Sequence, residues 1–452
     1  MEINSQKTVA SMLRSLLLGP NYLRKRAFIR RTEFLPQEEL SVLQAHALCQ
    51  VLRHAVKSIP FYNNILPEID TKAFGDPKQA LARFPIIDKQ FVREHCDTFY
   101  AGPSYRRLKG TTGGTTAQPL VFFRDRFITR QVEKAFMFDL WSRVGYRFGD
   151  SVFNLRGRIP PKGRFLHHDR LFNYYYASSL NLSVQTIGDY VTAINRLQPR
   201  FLHGYPSTMY QLAALMMSKK KRLSFQVQAV FCGSEKLFPY QREKIESIFG
   251  CRVYHWYGHS EGLALGGACE HSDTFHFYPQ YGYTELFPSG ILDEDGRQLF
   301  ELVATGFNNS VMPLIRYRTG DYAKPAANQS CHCGRRYLLI DEIIGRQQEF
   351  IVDAHGSLIS TTSFFPAQRY AAFDGIESIK LHQQQPGQID VILVKGEEFC
   401  EDNFLEMQKK MQDLIGDRMT IRFRFSNQVE KTTIGKARLV EQELDIHEYL
   451  GQ

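Results

Sequence analysis

The sequence predicts an α/β protein with two domains, and three observations support this prediction. The chain has 452 residues, whereas single hydrophobic cores stop growing near about 250 to 300 residues. In the middle of the chain, short apolar segments alternate with a segment of helical periodicity. After Asp341 the pattern changes to short strands and one amphipathic helix. We therefore expect a large α/β domain over residues 1–345 and a small α+β domain over residues 346–452.

The central α/β unit is predicted from residues 229–262. Ala229–Phe231 is a short apolar strand, Pro239–Phe249 carries three apolar residues on one helical face, and Arg252–Trp256 has the pattern of the next strand. A strand, helix, strand order indicates parallel strands, with functional loops at their carboxyl ends. The segments at 233–235 and 257–262 follow the two strands, so we expect them to carry function.

The small domain is predicted from its periodicity. Ile389–Val394 is an apolar strand, and Gly416 follows a helical segment as a typical terminator. The helix presents one apolar face and the strand after Gly416 alternates apolar with polar residues; these apolar positions are Phe404, Met407, Met411 and Leu414, then Met419, Ile421, Phe423 and Phe425. A compact α+β domain follows from this pattern.

Composition narrows the classes of partner. The formal net charge of +9 is compatible with binding of polyanions such as ATP, coenzyme A or nucleic acid. The chain lacks a nucleic-acid reading motif, so no nucleic-acid partner is expected. No segment reaches the roughly 18 apolar residues of a membrane span. Leu16–Leu18 is too short for a signal peptide and is followed by basic residues. We expect a cytoplasmic protein, and the sequence is compatible with an oligomer.

A Gly/Thr-rich stretch is the first candidate site. Residues 109–120 read KGTTGGTTAQPL, and so many glycines and threonines allow backbone amides and hydroxyls to converge on phosphate oxygens. The stretch lacks the Gly-Lys-Ser/Thr ending of a Walker loop. Taken alone, it is equally compatible with a flexible surface loop.

The stretch resembles the phosphate loop of the adenylate-forming superfamily of acyl-CoA synthetases, peptide-synthetase adenylation domains and luciferases. Gly114-Thr115-Thr116 and Pro119 match that loop, whereas Ala117 and Gln118 replace its usual glycine and lysine. Four further segments are similar to motifs of the same superfamily: YGHSEG at 257–262, RYRTGD at 316–321, GRQQE at 345–349 and IGK at 434–436. The resemblance covers roughly residues 80–440.

The resemblance implies a role for each motif. Tyr257 is expected to lie against adenine, and Asp321 is expected to bind the ribose hydroxyls. Glu261 is expected to bind Mg²⁺, which prefers carboxylate and phosphate oxygens. Glu349 is expected at the hinge, and Lys436 is expected to be the catalytic lysine. Catalytic roles are implied for Lys436, Glu261 and Thr116. Nucleotide-binding roles are implied for Thr111, Thr112, Gly113, Gly114, Thr115, Thr116, Gly233, Ser234, Glu235, Tyr257, Gly258, His259, Ser260, Asp321 and Arg346.

The implied fold is the adenylate-forming enzyme fold, with a large multi-sheet α/β domain and a small mobile α+β domain. The implied reaction is ATP-dependent activation of a carboxylic acid to an acyl adenylate, followed by transfer to the thiol of coenzyme A. The HGYPS segment at 203–207 and the Cys-x-Cys-Gly-Arg turn at 331–335 resemble the phenylacetate-CoA ligase branch, and the chain looks most like its members associated with capsular polysaccharide biosynthesis.

Two alternatives to this reaction remain open. In the first alternative, the acyl group is passed to an amine such as an amino sugar. In the second, the chain binds nucleotide without catalysis. The aromatic residues Tyr205, Phe231 and Tyr174–Tyr176 are candidates for an acyl pocket, although such residues more often belong to the core.

A zinc site is predicted from clustered cysteines, because thiols of a cytosolic protein more often bind metal than form disulfides. Cys269, Cys331 and Cys333 supply three thiolates, and one histidine completes a tetrahedral site. His271 is the preferred fourth ligand and His276 the competitor. Such a closed site is structural, and unpaired buried thiols are the alternative.

Overall fold

The computed structural model of the protein describes most of the chain, namely residues 17–66, 76–111, 120–156, 160, 164–179, 182, 185–293, 296–346, 350–356, 358–360, 370–427 and 440–449. Several predicted site residues lie outside these ranges: Thr112, Gly113, Gly114, Thr115, Thr116, Glu349 and Lys436. Their assigned roles stay predictions.

The described elements begin with five consecutive helices, and strands predominate after residue 253. The helices are α1 (Pro20–Thr32), α2 (Gln37–Ser58), α3 (Pro60–Ile65), α4 (Pro77–Ala82), α5 (Lys89–Glu94), α6 (Thr129–Ser142), α7 (Ile187–Leu197), α8 (Pro206–Ser218), α9 (Pro239–Phe249) and α10 (Glu401–Ile415). The strands are β1 (Arg107–Thr111), β2 (Val121–Asp125), β3 (Val152–Arg156), β4 (His167–Asp169), β5 (Tyr174–Ser178), β6 (Phe201–Gly204), β7 (Ala229–Gly233), β8 (Val253–Gly258), β9 (Leu265–Gly267), β10 (Phe275–Phe277), β11 (Gly282–Leu292), β12 (Gln298–Gly306), β13 (Tyr317–Pro325), β14 (Leu338–Arg346), β15 (Phe350–Val352), β16 (Leu358–Ser360), β17 (Ile376–Gln383), β18 (Gln388–Lys395), β19 (Thr420–Phe425) and β20 (Val440–Gln442).

The chain forms two compact units. The first comprises Met1–Gly149, Tyr254–Phe287 and Phe300–Ile343, and the second comprises Asp150–Val253, Pro288–Leu299 and Ile344–Gln452. The second unit thus groups the middle of the chain with its C-terminal part. The predicted division into domains 1–345 and 346–452 stays a prediction.

The first unit is built on antiparallel strands. β9 pairs with β8 and β10, β10 pairs with β14, and β12 pairs with β13, all antiparallel. A separate hairpin joins β1 to β2, with Thr111 opposite Val121. Buried residues from the helices pack against these strands and include Leu48, Leu52, Tyr62, Phe84, Phe122, Leu302 and Ile340. This core carries the motifs at 257–262 and 316–321.

The second unit contains a parallel sheet and a smaller mixed sheet. β3 pairs in parallel with β5 and β6, and β6 pairs in parallel with β7. Helices α7, α8 and α9 bury their apolar faces against one side of this sheet. The smaller sheet has the order β19-β18-β17-β20, with β17 and β18 antiparallel and the outer pairs parallel.

The predicted fold class and most predicted elements are confirmed. The segment around 229–258 is a strand, a helix over Pro239–Phe249 and a second strand. In the C-terminal region, α10 buries Phe404, Met407 and Met411 and ends at Gly416, whose φ of +62° suits glycine. Across the described ranges, the helices lack the combination of length and hydropathy needed to cross a bilayer.

Candidate active site

Two motifs that are far apart in the sequence meet in the first unit. Tyr257, at the end of β8, donates a hydrogen bond of 2.7 Å from its hydroxyl to Oδ2 of Asp321 on β13. The Tyr257 ring stacks on Phe277, with ring centroids 5.6 Å apart. The motifs predicted to contact adenine and ribose are therefore in direct contact with each other.

Glu261 is held in the same region. Glu261 is only 7% exposed. Its Oε1 atom accepts a hydrogen bond of 3.2 Å from the hydroxyl of Tyr317. His259 Nδ1 lies 3.4 Å from Oε2. An ionised carboxylate only accepts hydrogen bonds and offers hard oxygen atoms. The Glu261 carboxylate therefore offers the kind of ligand that magnesium prefers.

The strands beside the Gly/Thr-rich stretch adjoin this region. β1 ends at Thr111 and β2 begins opposite it at Val121. Arg124 on β2 donates a hydrogen bond of 2.8 Å from Nη2 to the backbone carbonyl of Ser260. The strand that follows the predicted phosphate loop is thus bonded directly to the YGHSEG segment.

The backbone adopts left-handed conformations within the motifs. Gly262 and Gly320, which flank the two carboxylates, both have φ of +72°, where glycine avoids the cost that a Cβ brings. Arg316 adopts φ of +50° although it is not glycine. Its guanidinium donates two hydrogen bonds, of 3.2 and 3.1 Å, to Glu285. Such non-glycine residues cost about 1–3 kcal/mol and cluster at functional sites.

In the second unit, the predicted segment 233–235 begins at the last residue of β7, at the carboxyl end of the parallel sheet. Ser234 has φ of +69°, and its hydroxyl accepts a hydrogen bond of 2.9 Å from Arg156 Nη2. The Arg156 guanidinium lies 4.4 Å from the ring centroid of Tyr205. A strained residue is therefore braced by an arginine at the sheet edge where ligands of α/β proteins bind.

The cysteine cluster also forms, but with a different histidine from the preferred one. One ligand atom from each of Cys269, His276, Cys331 and Cys333 lies within 4.8 Å of the others. His271 was the wrong preference, because its side chain is exposed in the loop after Cys269 and only its backbone amide contacts the cluster. His276 points inward because it lies on β10, between β9 and β14.

Some residues at the site have no role in the sequence-based prediction. Tyr317 lies inside RYRTGD, so its bond to Glu261 had a sequence indication, whereas Arg124 had none. Glu133 on α6 is a third such residue: it is half-buried, its carboxylate accepts a 2.6 Å hydrogen bond from the Tyr281 hydroxyl, and desolvation raises its pKa. Long-range contacts of this kind require the fold.

Comparisons with known proteins find similar sequences and similar solved structures. No family model matches the chain. The chain is 24% identical to Protein CapK of Staphylococcus aureus, over 88% of each chain. It is 23% identical to the phenylacetate-coenzyme A ligase of Thermus thermophilus, over 90% of this chain and 97% of that protein. Among solved structures, 2-hydroxyisobutyryl-CoA ligase in the postadenylation state, in complex with 2-HIB-AMP, aligns with a TM-score of 0.68 at 18% identity, over 93% of this chain and 92% of that one.

These matches support placing the chain with the adenylate-forming superfamily, beside its phenylacetate-CoA ligase-like branch. It is accordingly an enzyme of the ATP-dependent, AMP-forming carboxylate ligase class, as the sequence predicts. The match extends across both compact units, and the α/β architecture is that of adenylate-forming CoA ligases.

Proposed function

We propose that this ligase activates a carboxylic acid with ATP and transfers the acyl group to coenzyme A. The proposal rests on two hydrogen bonds within one unit: Tyr257 donates to Asp321, and Tyr317 donates to Glu261. Two buried carboxylates with different partners suit two tasks, one on a sugar and one on a cation. The names of the relatives, which include coenzyme A ligases, support the thiol as acceptor.

The proposed reaction has two balanced steps. An oxygen of the substrate carboxylate attacks the α-phosphorus of ATP, and the bond to the β-phosphate breaks to release pyrophosphate. The thiol of coenzyme A then attacks the acyl carbon, AMP leaves, and the thiol proton passes to solvent. Magnesium, when bound, would offset negative charge on the phosphates. Glu261 would hold it, and Tyr317 orients the Glu261 carboxylate.

The remaining roles in the nucleotide site are proposed by position. Asp321 accepts hydrogen bonds from the ribose hydroxyls, and Tyr257 lies against adenine while it orients Asp321. Residues 111–116 cradle the phosphates, with Arg124 fixing the strand that follows them. Lys436 stabilises the charge that develops as pyrophosphate leaves, and the C-terminal region turns about Glu349 between the two steps.

The acyl group is proposed to bind on one face of the parallel sheet. The registers of β5, β3, β6 and β7 align Tyr176, Asn154, His203 and Phe231 in one row across that face. Asn154 and His203 side chains are 3.0 Å apart, and Phe231 stacks on Phe201 with ring centroids 4.9 Å apart. Asn154, His203 and Phe231 are buried and Tyr176 is half-buried. An aromatic row with a few polar groups suits an aryl or hydrophobic acid.

Isotope exchange between pyrophosphate and ATP tests the proposal. The panel combines arylacetates, benzoates and short hydroxy acids, with and without a second polar group, because Arg156 lies at the same sheet edge. We expect exchange that depends on one class of acid, and thioester formation when coenzyme A is added. ATP binding without exchange for any class would instead favour a non-catalytic nucleotide-binding protein.

An amine is the alternative acceptor, because the motifs resemble those of members associated with capsular polysaccharide biosynthesis. In this alternative the acyl adenylate passes its acyl group to an amine such as an amino sugar of a surface polysaccharide precursor. Mass spectrometry of products formed with coenzyme A or with glucosamine separates the two. Amide formation without consumption of coenzyme A would replace the thiol by the amine.

A further inference from the structure

We propose that Cys269, His276, Cys331 and Cys333 bind one structural zinc ion. Cys269 Sγ lies 3.6 Å from Cys331 Sγ, and Cys333 Sγ lies 3.3 Å from His276 Nε2. Tetrahedral zinc with Zn–S near 2.3 Å and Zn–N near 2.0 Å places its ligand atoms roughly 3.5 to 3.8 Å apart. Two pairs of ligand atoms are thus already close to this spacing, and all four atoms lie within 4.8 Å of one another.

The histidine presents the correct nitrogen. Nδ1 of His276 lies 2.9 Å from the backbone carbonyl of Thr274. A carbonyl only accepts, so Nδ1 carries the proton and the lone pair of Nε2 faces the sulfur atoms. Metal-binding histidines are held in this way by a partner on the other ring nitrogen. His276 is also fully buried, which fixes the ring.

Polar groups surround the sulfur atoms. The backbone amide of His271 donates a hydrogen bond of 3.3 Å to Cys269 Sγ. Arg335 is only 4% exposed and follows Cys333 by two positions in the sequence. Three thiolates and a neutral imidazole around Zn²⁺ carry a net charge of −1, so the positive charge of Arg335 compensates it.

Arg335 is itself held in place by two carboxylates. It donates a pair of hydrogen bonds, of 2.7 and 2.8 Å, to Glu270, and a further bond of 2.7 Å to Glu33. Ligating side chains and their hydrogen-bonding neighbours are commonly built together in metal sites. The loop after β9 therefore contributes two neighbouring residues to this region: Cys269 supplies a sulfur atom, and Glu270 holds Arg335.

A disulfide does not explain the cluster. The two sulfur atoms of a disulfide lie about 2.05 Å apart. A disulfide would also not account for the position of the third cysteine and the histidine. Four ligands from the protein also close the coordination shell, so the ion has no open position for a substrate. A structural role follows.

The ion would link segments that lie about 60 residues apart. Cys269 follows β9 and His276 lies on β10, whereas Cys331 and Cys333 lie between β13 and β14. The segment before β9 carries Glu261, and β13 carries Asp321. Zinc would thus cross-link the supports of both carboxylates. The proposal does not depend on the proposed reaction, because it concerns metal content and stability.

Metal analysis of the full-length protein tests the proposal. Protein purified without chelator should contain one zinc per chain by plasma mass spectrometry, and its melting temperature should fall when zinc is removed. Cys333→Ser and His276→Ala should lower zinc affinity by at least about tenfold. His271→Ala and Cys400→Ser are matched controls and should retain the metal, since His271 and Cys400 are exposed outside the cluster.

Cobalt substitution keeps the test decisive if a variant fails to fold. The wild-type chain loaded with Co²⁺ should show the absorption of a tetrahedral site with thiolate-to-cobalt charge transfer. Wild-type protein that lacks zinc and gives an octahedral cobalt spectrum would overturn the proposal. Loss of zinc in His271→Ala with retention in His276→Ala would overturn the assigned ligand set.

Discussion

Lys436→Ala should lower carboxylate-dependent pyrophosphate release by about 10²- to 10³-fold, because removing one preorganised group that stabilises transition-state charge typically costs that much. The loss should fall on kcat, since the lysine is proposed to act on charge that develops during the reaction. Binding of ATP should persist. The measurement is pyrophosphate release at saturating ATP with the acid that the exchange screen identifies.

The matched control is Lys431→Ala, which removes a lysine five positions earlier in the same segment. It should keep the wild-type rate. Equal losses in the two variants would show that the segment tolerates no substitution, and unchanged release in Lys436→Ala would refute the assignment of the catalytic lysine.

Glu261→Gln should reduce the adenylation rate by about 10²-fold and raise the magnesium concentration needed for half-maximal activity. Glutamine keeps the size of the side chain and an oxygen that accepts from Tyr317, but it removes the negative charge that attracts the cation. The measurement is the exchange rate as a function of magnesium concentration at fixed ATP.

Glu301→Gln is the control for this prediction. Glu301 lies on β12 in the same unit, where it pairs with Arg318 at 3.1 Å, and it should leave the magnesium dependence unchanged. The magnesium concentration that Tyr317→Phe needs for half-maximal activity should lie between those of Glu301→Gln and Glu261→Gln. In this variant Glu261 keeps its charge but loses one orienting hydrogen bond. A magnesium requirement that is the same in Glu261→Gln as in the wild-type protein would exclude Glu261 as the ligand.

The sequence predicts much of this architecture because local patterns dictate local structure. Helix α9 follows from its apolar periodicity and its bounds Pro239 and Gly250, and glycine at 250 adopts φ of +63°. The end of α10 at Gly416 follows for the same reason. Motif order and resemblance then identify Tyr257, Glu261 and Asp321, and the structure brings these three residues into one region of the first unit.

What the sequence misses depends on tertiary structure. His271 is closer to Cys269 in the sequence than His276, so proximity favours it, but the strand direction of β10 turns His276 inward instead. Arg124 and Glu133 belong to no motif, and their bonds to Ser260 and Tyr281 join residues more than 100 positions apart. The grouping of Asp150–Val253 with the C-terminal residues likewise has no local sequence pattern.

Calorimetric titration of the full-length protein with Mg-ATP is the most direct test, because it requires no knowledge of the acid. We predict a single site that Asp321→Asn weakens by about 10- to 100-fold, since hydrogen bonds to a charged group contribute about 1.5–3 kcal/mol each and each 1.4 kcal/mol changes affinity tenfold. Asp97→Asn, at an exposed position of the same unit, should bind like wild type. Equal affinity of the wild-type and Asp321→Asn proteins, or no binding of ATP to either, would contradict the account.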